Sequence, residues 1–198
     1  MKAVKMIAVM TFALPFAALA SNSPAGVGNF EKVNDQVYRG AQPTNEGFQN
    51  LARLGIHTVI DLQESDSARA ANEAKAVNAA GMEYIGIPME GMHTPSNESI
   101  AKALSVLENT TSGPVFVHCH RGADRTGGVI ACYRIEHDHW ANDKALSEAR
   151  SMGMSWYQLQ IQRYVQHFTP KTDNTPSVAS ASALSTLAPT TAAAVLIP

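Results

Sequence analysis

Cys119 and Arg125 stand at the two ends of the run Cys119-His120-Arg121-Gly122-Ala123-Asp124-Arg125. Before it lies an apolar, β-branched stretch, Pro114-Val115-Phe116-Val117-His118. After it comes Gly127-Gly128-Val129-Ile130-Ala131-Cys132, which reads as a buried helix. Backbone N–H groups that curl into a helix start have no intrahelical partners, and the helix dipole is positive there, so the run is an anion site by its backbone alone. Those donors and that dipole favour the thiolate form of a cysteine at the loop entrance. Gly122 lets the loop fold inward. Arg125 can return across it and present a planar, two-pronged donor to phosphate oxygens. His118, His120 and Arg121 add positive or hydrogen-bonding groups, and Thr126 is placed to hydrogen-bond the sulfur. One short loop thus supplies a nucleophile, an anion cradle and charge stabilisation for a transition state.

The segment His118-Cys119 through Arg125-Thr126-Gly127 resembles the His-Cys-x5-Arg-(Ser/Thr)-Gly signature of the protein tyrosine phosphatase superfamily. From about Phe30 to Phe168 the chain is similar to compact dual-specificity-type phosphatases, bacterial members and the atypical plant and fungal group. Val37-Tyr38-Arg39-Gly40-Ala41-Gln42-Pro43 and Val59-Ile60-Asp61-Leu62 belong to this likeness. The resemblance implies a phosphocysteine intermediate on Cys119 and phosphate binding by Arg125 and by the loop residues His120, Arg121, Gly122, Ala123 and Thr126. It also implies no metal and no cofactor. It further implies a general acid, usually an Asp, on a separate loop at Ile87 to Ser99. The stretch Pro88-Met89-Glu90-Gly91-Met92-His93-Thr94-Pro95-Ser96 holds no Asp, and only Glu90 and His93 can donate a proton there. Bacterial relatives with Asp inside the loop point to Asp124 as a third candidate, preferred here ahead of Glu90. Asp124 can equally brace the loop, and Glu90 and His93 can be solvated surface groups. Asp61 is expected to hold backbone or Arg39.

Phosphomonoester hydrolysis is the function these residues point to, with phosphotyrosine-type protein substrates as the default. An inositol polyphosphate or pyrophosphate phosphatase is the alternative; Ala123 stands where many phosphoinositide-directed relatives carry Lys. A catalytically weak phosphate-binding module is the non-enzymatic one. A sulfurtransferase of the rhodanese type also uses a cysteine loop, but without the Arg-Thr-Gly exit.

The surrounding pattern must position the loop. Strand-like pieces flank Asn34-Asp35. Thr44 caps a helix through Leu54, closed by Gly55. His57 to Leu62 is a buried strand, Asp66 caps an Ala-rich helix to Ala80 ended by Gly81, and Met82 to Ile87 is another strand. Thr94-Pro95 opens a helix that buries Ile100, Ala103, Leu104 and Leu107. Pro114 to His118 is a third strand, followed by the loop and a helix to about His137. Asn142 caps another helix, and Ser155 to Phe168 makes the last, with Trp140, Trp156 and Tyr157 expected to pack these helices or, for one of them, to line the pocket. Such alternation predicts an α/β fold with a central, mostly parallel sheet of about four to five strands flanked by helices. Ligands of such sheets sit beyond the carboxyl ends of the strands, where the Cys119 loop falls.

The chain of 198 residues suits one domain. Residues 1–20 read as a secretory signal peptide: Lys2 and Lys5, an apolar run, then Ala18-Leu19-Ala20. Residues 21–29 are expected as a linker, 30–168 as the phosphatase domain and 169–198 as a disordered tail rich in Ala, Ser, Thr and Pro. The mature protein is then exported, periplasmic or secreted. Removing Lys2 and Lys5 takes the basic count from 15 to 13 against 17 acidic residues, a formal charge of −4. Neither nucleic acid nor, after signal cleavage, a membrane is an expected partner. The expected partner is a phosphorylated protein or a small phosphoester. Cys132 lies nearly two helical turns beyond the loop, roughly 10 Å, too far for a disulfide to Cys119. It reads as a small core residue, which leaves Cys119 a free thiol.

Overall fold

The computed structural model describes residues 23–64 and 66–171. The expected signal peptide and all but the first three residues of the expected tail lie outside them. A hairpin of β1 (Glu31–Lys32) and β2 (Val37–Ala41) is closed by Asn34, whose Oδ1 accepts from the N–H groups of Gln36 and Val37. The chain then runs α1 (Asn45–Arg53), β3 (Thr58–Asp61), α2 (Ser67–Ala79), β4 (Glu83–Gly86) and α3 (Asn97–Leu107). A 3-10 turn at Thr110–Ser112 leads to β5 (Val115–Cys119), α4 (Asp124–Glu136), α5 (Asn142–Ser151) and α6 (Leu159–Gln166).

The five strands form one sheet in the order β1-β2-β5-β3-β4, parallel except at the β1 edge. This is the expected mostly parallel arrangement. Successive residues of a strand face opposite sides, and the core divides accordingly. Val59 and Phe116 point to the face that α1 and α2 cover with Phe48, Leu51 and Val77. Ile60, Val115 and Val117 point to the face covered by α3 to α6 with Leu104, Ile130, Leu146 and Ile161. β5 is central and buried along its whole length, so its carboxyl end, where the loop begins, is held on both sides by β2 and β3.

Short-range chemistry sets several boundaries as expected. Thr44 accepts from the Gly47 N–H at the start of α1, and Asp66 accepts from the Ala68 and Arg69 N–H groups at the start of α2. The cap of α3 is Ser96 rather than Thr94. Asn142 does not cap α5; its amide instead donates to the Val165 and Phe168 carbonyls at the end of α6. The last helix begins at Leu159, four residues later than expected, because residues 155–158 turn toward the Cys119 loop. Of the segment expected as a linker, the described residues 23–29 are woven into the domain. Val27 joins the core beside Phe48, and the Ala25 carbonyl accepts from Asn50.

Candidate active site

Cys119 is the last residue of β5, and α4 begins at Asp124, so the loop is the connection between a buried strand and the positive end of a helix. Its carbonyls are held from outside. The Asn29 amide donates to the Arg121 and Gly122 carbonyls, at 3.3 and 3.1 Å, and to that of Met152 at 3.2 Å. Buried Arg39 donates through Nη2 to the Gly122 carbonyl at 2.8 Å, and the Gln42 N–H donates to His120 at 3.2 Å. In a planar trans peptide the N–H points opposite to the C=O. With these carbonyls turned outward, the N–H groups of Arg121, Gly122 and Ala123 turn toward the opposite side, where Cys119 lines a pocket. Gly122 is required here: its φ is +67°, and a Cβ would stand 2.3 Å from the Gly40 backbone.

The pocket holds about 170 Å³ and is lined by Gly91, Cys119, His120, Arg121, Asp124, Arg125 and Gln158. Arg125 reaches across and donates through Nη1 to the Met89 carbonyl at 3.1 Å. Cys119, His120, Arg121, Asp124 and Arg125 therefore converge, as their spacing predicts. The Arg121 guanidinium is held against neighbouring groups of the protein. Its Nη1 donates to Asp124 Oδ2 at 3.1 Å and to the Ser155 hydroxyl at 2.8 Å, and its Nη2 donates to the Gly153 carbonyl. Asp124 Oδ1 accepts from the Ser155 N–H at 2.7 Å. Thr126 is fully buried, and its hydroxyl has no hydrogen-bond partner among the described residues, the sulfur included.

Glu90 lies outside this pocket. It lines an adjoining cavity with Glu64, Pro88, Met89, Gly91 and His93, and its Oε2 is 3.2 Å from His93 Nδ1. Glu64, which follows β3 and which nothing in its sequence neighbourhood singles out, accepts from the Gly91 N–H at 2.9 Å and stands 3.8 Å from Arg125. Gln158 is the other unforeseen residue. It is 7 % exposed, and its Oε1 has no partner among the described residues while it lines the pocket with Cys119.

Asp61 holds neighbouring backbone, one of its two expected roles, and not Arg39. Its carboxylate is 2.8 Å from Arg69 and accepts from Tyr84 and from the Gln63 N–H. Burial pushes this carboxyl up, but His118, the Gln63 N–H, Arg69 and Tyr84 outweigh burial and hold it below the usual range. Glu73 completes the cluster, 2.9 Å from Arg69 and 2.8 Å from His118 Nε2, the latter close enough for an ion pair but off the hydrogen-bond direction. Asp61, Glu73 and His118 offer ligand atoms within 4.8 Å of one another, the geometry of a possible metal site. Arg69 already occupies the cationic place between the two carboxylates. The cluster thus braces β3, α2 and β5 beneath the loop. Cys132 is buried in α4, and burial pushes its thiol up.

Over residues 16–167 the chain matches a family model described as DSP-PTPase phosphatase fused to NAD+ Kinase. It is 29 % identical over 145 residues to Inositol diphosphatase DSP5 of Arabidopsis thaliana, covering 71 % of this chain and 69 % of that protein. To the dual specificity protein phosphatase TpbA of Pseudomonas aeruginosa it is 26 % identical over 125 residues, 63 % of this chain and 55 % of that one. The chain thus spans about half to two thirds of the length of these curated relatives. The core catalytic domain of the PP-IP phosphatase SIW14 from S. cerevisiae superposes with a TM-score of 0.64 at 24 % identity, over 72 % of this chain and 86 % of that one.

Proposed function

The chain belongs to the dual-specificity-type phosphatases of the protein tyrosine phosphatase superfamily, which use a cysteine nucleophile, and from that premise we propose that it hydrolyses aryl phosphomonoesters of the phosphotyrosine kind. The observation that carries this substrate choice is the charge at the mouth of the pocket. The pocket and the adjoining cavity are lined by two arginines, Arg121 and Arg125, and three carboxylates, Glu64, Glu90 and Asp124. Arg121 is committed to Asp124, Ser155 and Gly153, which leaves Arg125 and the loop amides for a single phosphoryl group. A substrate with several phosphates would set its remaining charge against Glu64 and Glu90.

In the proposed reaction the Cys119 sulfur attacks phosphorus, the P–O bond to the aryl group breaks, and the aryl oxygen leaves with or without a proton from the protein. Arg125 and the inward N–H groups carry the charge on the equatorial oxygens. Water then attacks the phosphocysteine, the S–P bond breaks, and inorganic phosphate and the thiolate are released. The unpartnered Oε1 of Gln158 offers an acceptor for that water. Asp124 is the proton donor we assign, as the one carboxylate lining the pocket with Cys119 and Arg125. A second reading, an inositol pyrophosphatase, is supported by the likeness to the Arabidopsis relative, an inositol diphosphatase. Its leaving group, a phosphate, also needs little proton help.

Parallel turnover of a phosphotyrosine peptide, p-nitrophenyl phosphate and a diphosphoinositol phosphate tests both readings, with Cys119→Ser as control. The expected result is hydrolysis of the two aryl esters, weak or no release from the diphosphoinositol, and no turnover by the folded variant. Undiminished activity of Cys119→Ser would falsify the nucleophile assignment.

A further inference from the structure

Five large apolar side chains are exposed among the described residues, and four of them, Met92, Trp156, Tyr157 and Leu159, lie within two residues in the chain of Gly91 or Gln158, which line the catalytic pocket. Trp156 is 82 % exposed, which corrects the expectation that it packs the last helices; Trp140 does pack there, between Arg134 and Lys144. Met92 follows Gly91, and Tyr157 and Leu159 bracket Gln158, both of which line the pocket. The segment carrying the aromatics is pinned to the loop by the bond from the Ser155 N–H to Asp124. It is tied to the Met92 segment by the hydrogen bond from the Thr94 hydroxyl to Gln160 Oε1 at 3.1 Å, and by that from the Tyr164 hydroxyl to Asn97 Oδ1 at 2.9 Å. Trp156 and Tyr157 meet edge to face, with ring centroids 5.7 Å apart. Met92 has a φ of +68°, a left-handed conformation that costs a side-chain-bearing residue free energy.

Scattered exposed apolar residues need no explanation, but a cluster confined to the rim of one pocket marks a contact surface. Burying large aromatic side chains against a partner is where such surfaces gain most of their affinity. We propose that Met92, Trp156, Tyr157 and Leu159 form an apolar collar that binds the hydrophobic residues flanking a phosphotyrosine in a peptide substrate. The proposal rests on the phosphotyrosine reading above and adds to it which sequences are preferred. Three features select a peptide. The pocket accommodates little beyond the phosphoryl group and its ring, so only a substrate that extends past it meets the collar. A polyphosphorylated ring offers the collar no apolar surface. Glu64 and Glu90 at the same mouth, with a chain of net charge −2, oppose approach to an anionic lipid surface.

The test uses the full chain and two phosphotyrosine peptides of equal length and charge, one with Leu and Phe beside the phosphotyrosine, the other with Ser and Gly. The wild-type protein is expected to prefer the apolar peptide by about tenfold or more in kcat/KM, mainly through KM. In Trp156→Ala, and in Met92→Gln, which keeps the side chain's length, the preference falls to about threefold or less. Equal turnover of both peptides by the wild type, or a preference untouched in both variants, overturns the collar while leaving the phosphotyrosine reading standing. Hydrolysis of p-nitrophenyl phosphate with no turnover of either peptide overturns the reading and the collar together. Hydrolysis of phosphatidic acid in phosphatidylcholine vesicles in preference to both peptides reassigns the collar to a lipid and overturns the proposal as made.

Discussion

At Asp124 both carboxylate oxygens are engaged, one by the Ser155 N–H and one by Arg121, so the residue braces the loop at the same time as it lines the pocket. To donate a proton it must give up one of these bonds, and the exposed Arg121 contact is the weaker of the two. Asp124→Asn is therefore expected to slow turnover of an alkyl phosphate far more than that of p-nitrophenyl phosphate, whose leaving oxide needs no proton, and to remove the basic limb of the alkyl-phosphate pH profile. Glu64→Gln, at the lip beside Arg125, is expected to keep that limb. The reverse pattern across the two variants moves the acid to Glu64. The spacing from Cys119 to Arg125 was legible in the chain because the loop is local and its chemistry is complete within seven residues. Glu64 and Gln158 were not, because each arrives from a different element and nothing in its own neighbourhood marks it.

Among the elements, β2 and the segment before it do the positioning. Arg39, Gln42 and Asn29 pull three loop carbonyls outward, and Gly40 receives Gly122 in contact too close for a side chain. Asn29→Ala removes two of these bonds from a partly exposed site. We expect about tenfold weaker inhibition by vanadate, equivalent to about 1.4 kcal/mol, with little change in melting temperature. An unchanged inhibition constant excludes Asn29 from holding the loop. Helix starts at Thr44 and Asp66 could be read from the chain, because a cap bonds N–H groups two or three residues away. Asn142 misled for the opposite reason: its amide found carbonyls more than twenty residues away, and no local pattern signals that. The 155–158 turn reads as helix in the sequence because its partner, Asp124, lies far back in the chain.

For the molecule as a whole, the cluster of buried Asp61, Glu73 and His118 with partly exposed Arg69 joins three elements beneath the site. Asp61→Asn leaves Arg69 with one carboxylate, Glu73, and the Glu64 carbonyl among the described residues. The expected cost is about 2–3 kcal/mol in urea unfolding, below that of a fully buried pair because Arg69 is partly exposed. The folded carboxyl of Asp61 titrates below its unfolded value of about 4, so its contribution is complete above that pH. It is lost as pH falls through the folded value. The stability gap between wild type and Asp61→Asn should thus be constant near neutrality and narrow below about pH 4. A gap that widens in acid contradicts the assignment.

The loop is gripped on its outer side by residues 29, 39 and 42, while the rim that faces a substrate is made by residues 88–94 and 155–159. Apart from the contacts of Arg121, Asp124 and Arg125, the two sets share no residue. Substitutions at Met92, Trp156, Tyr157 and Leu159, which leave Met89, Ser155 and Gln158 in place, can therefore change what is selected without loosening the cradle, and a graft of these four side chains from a relative should carry that relative's preference onto an intact reaction centre. Substrate choice and bond-breaking are, in this architecture, separately inheritable.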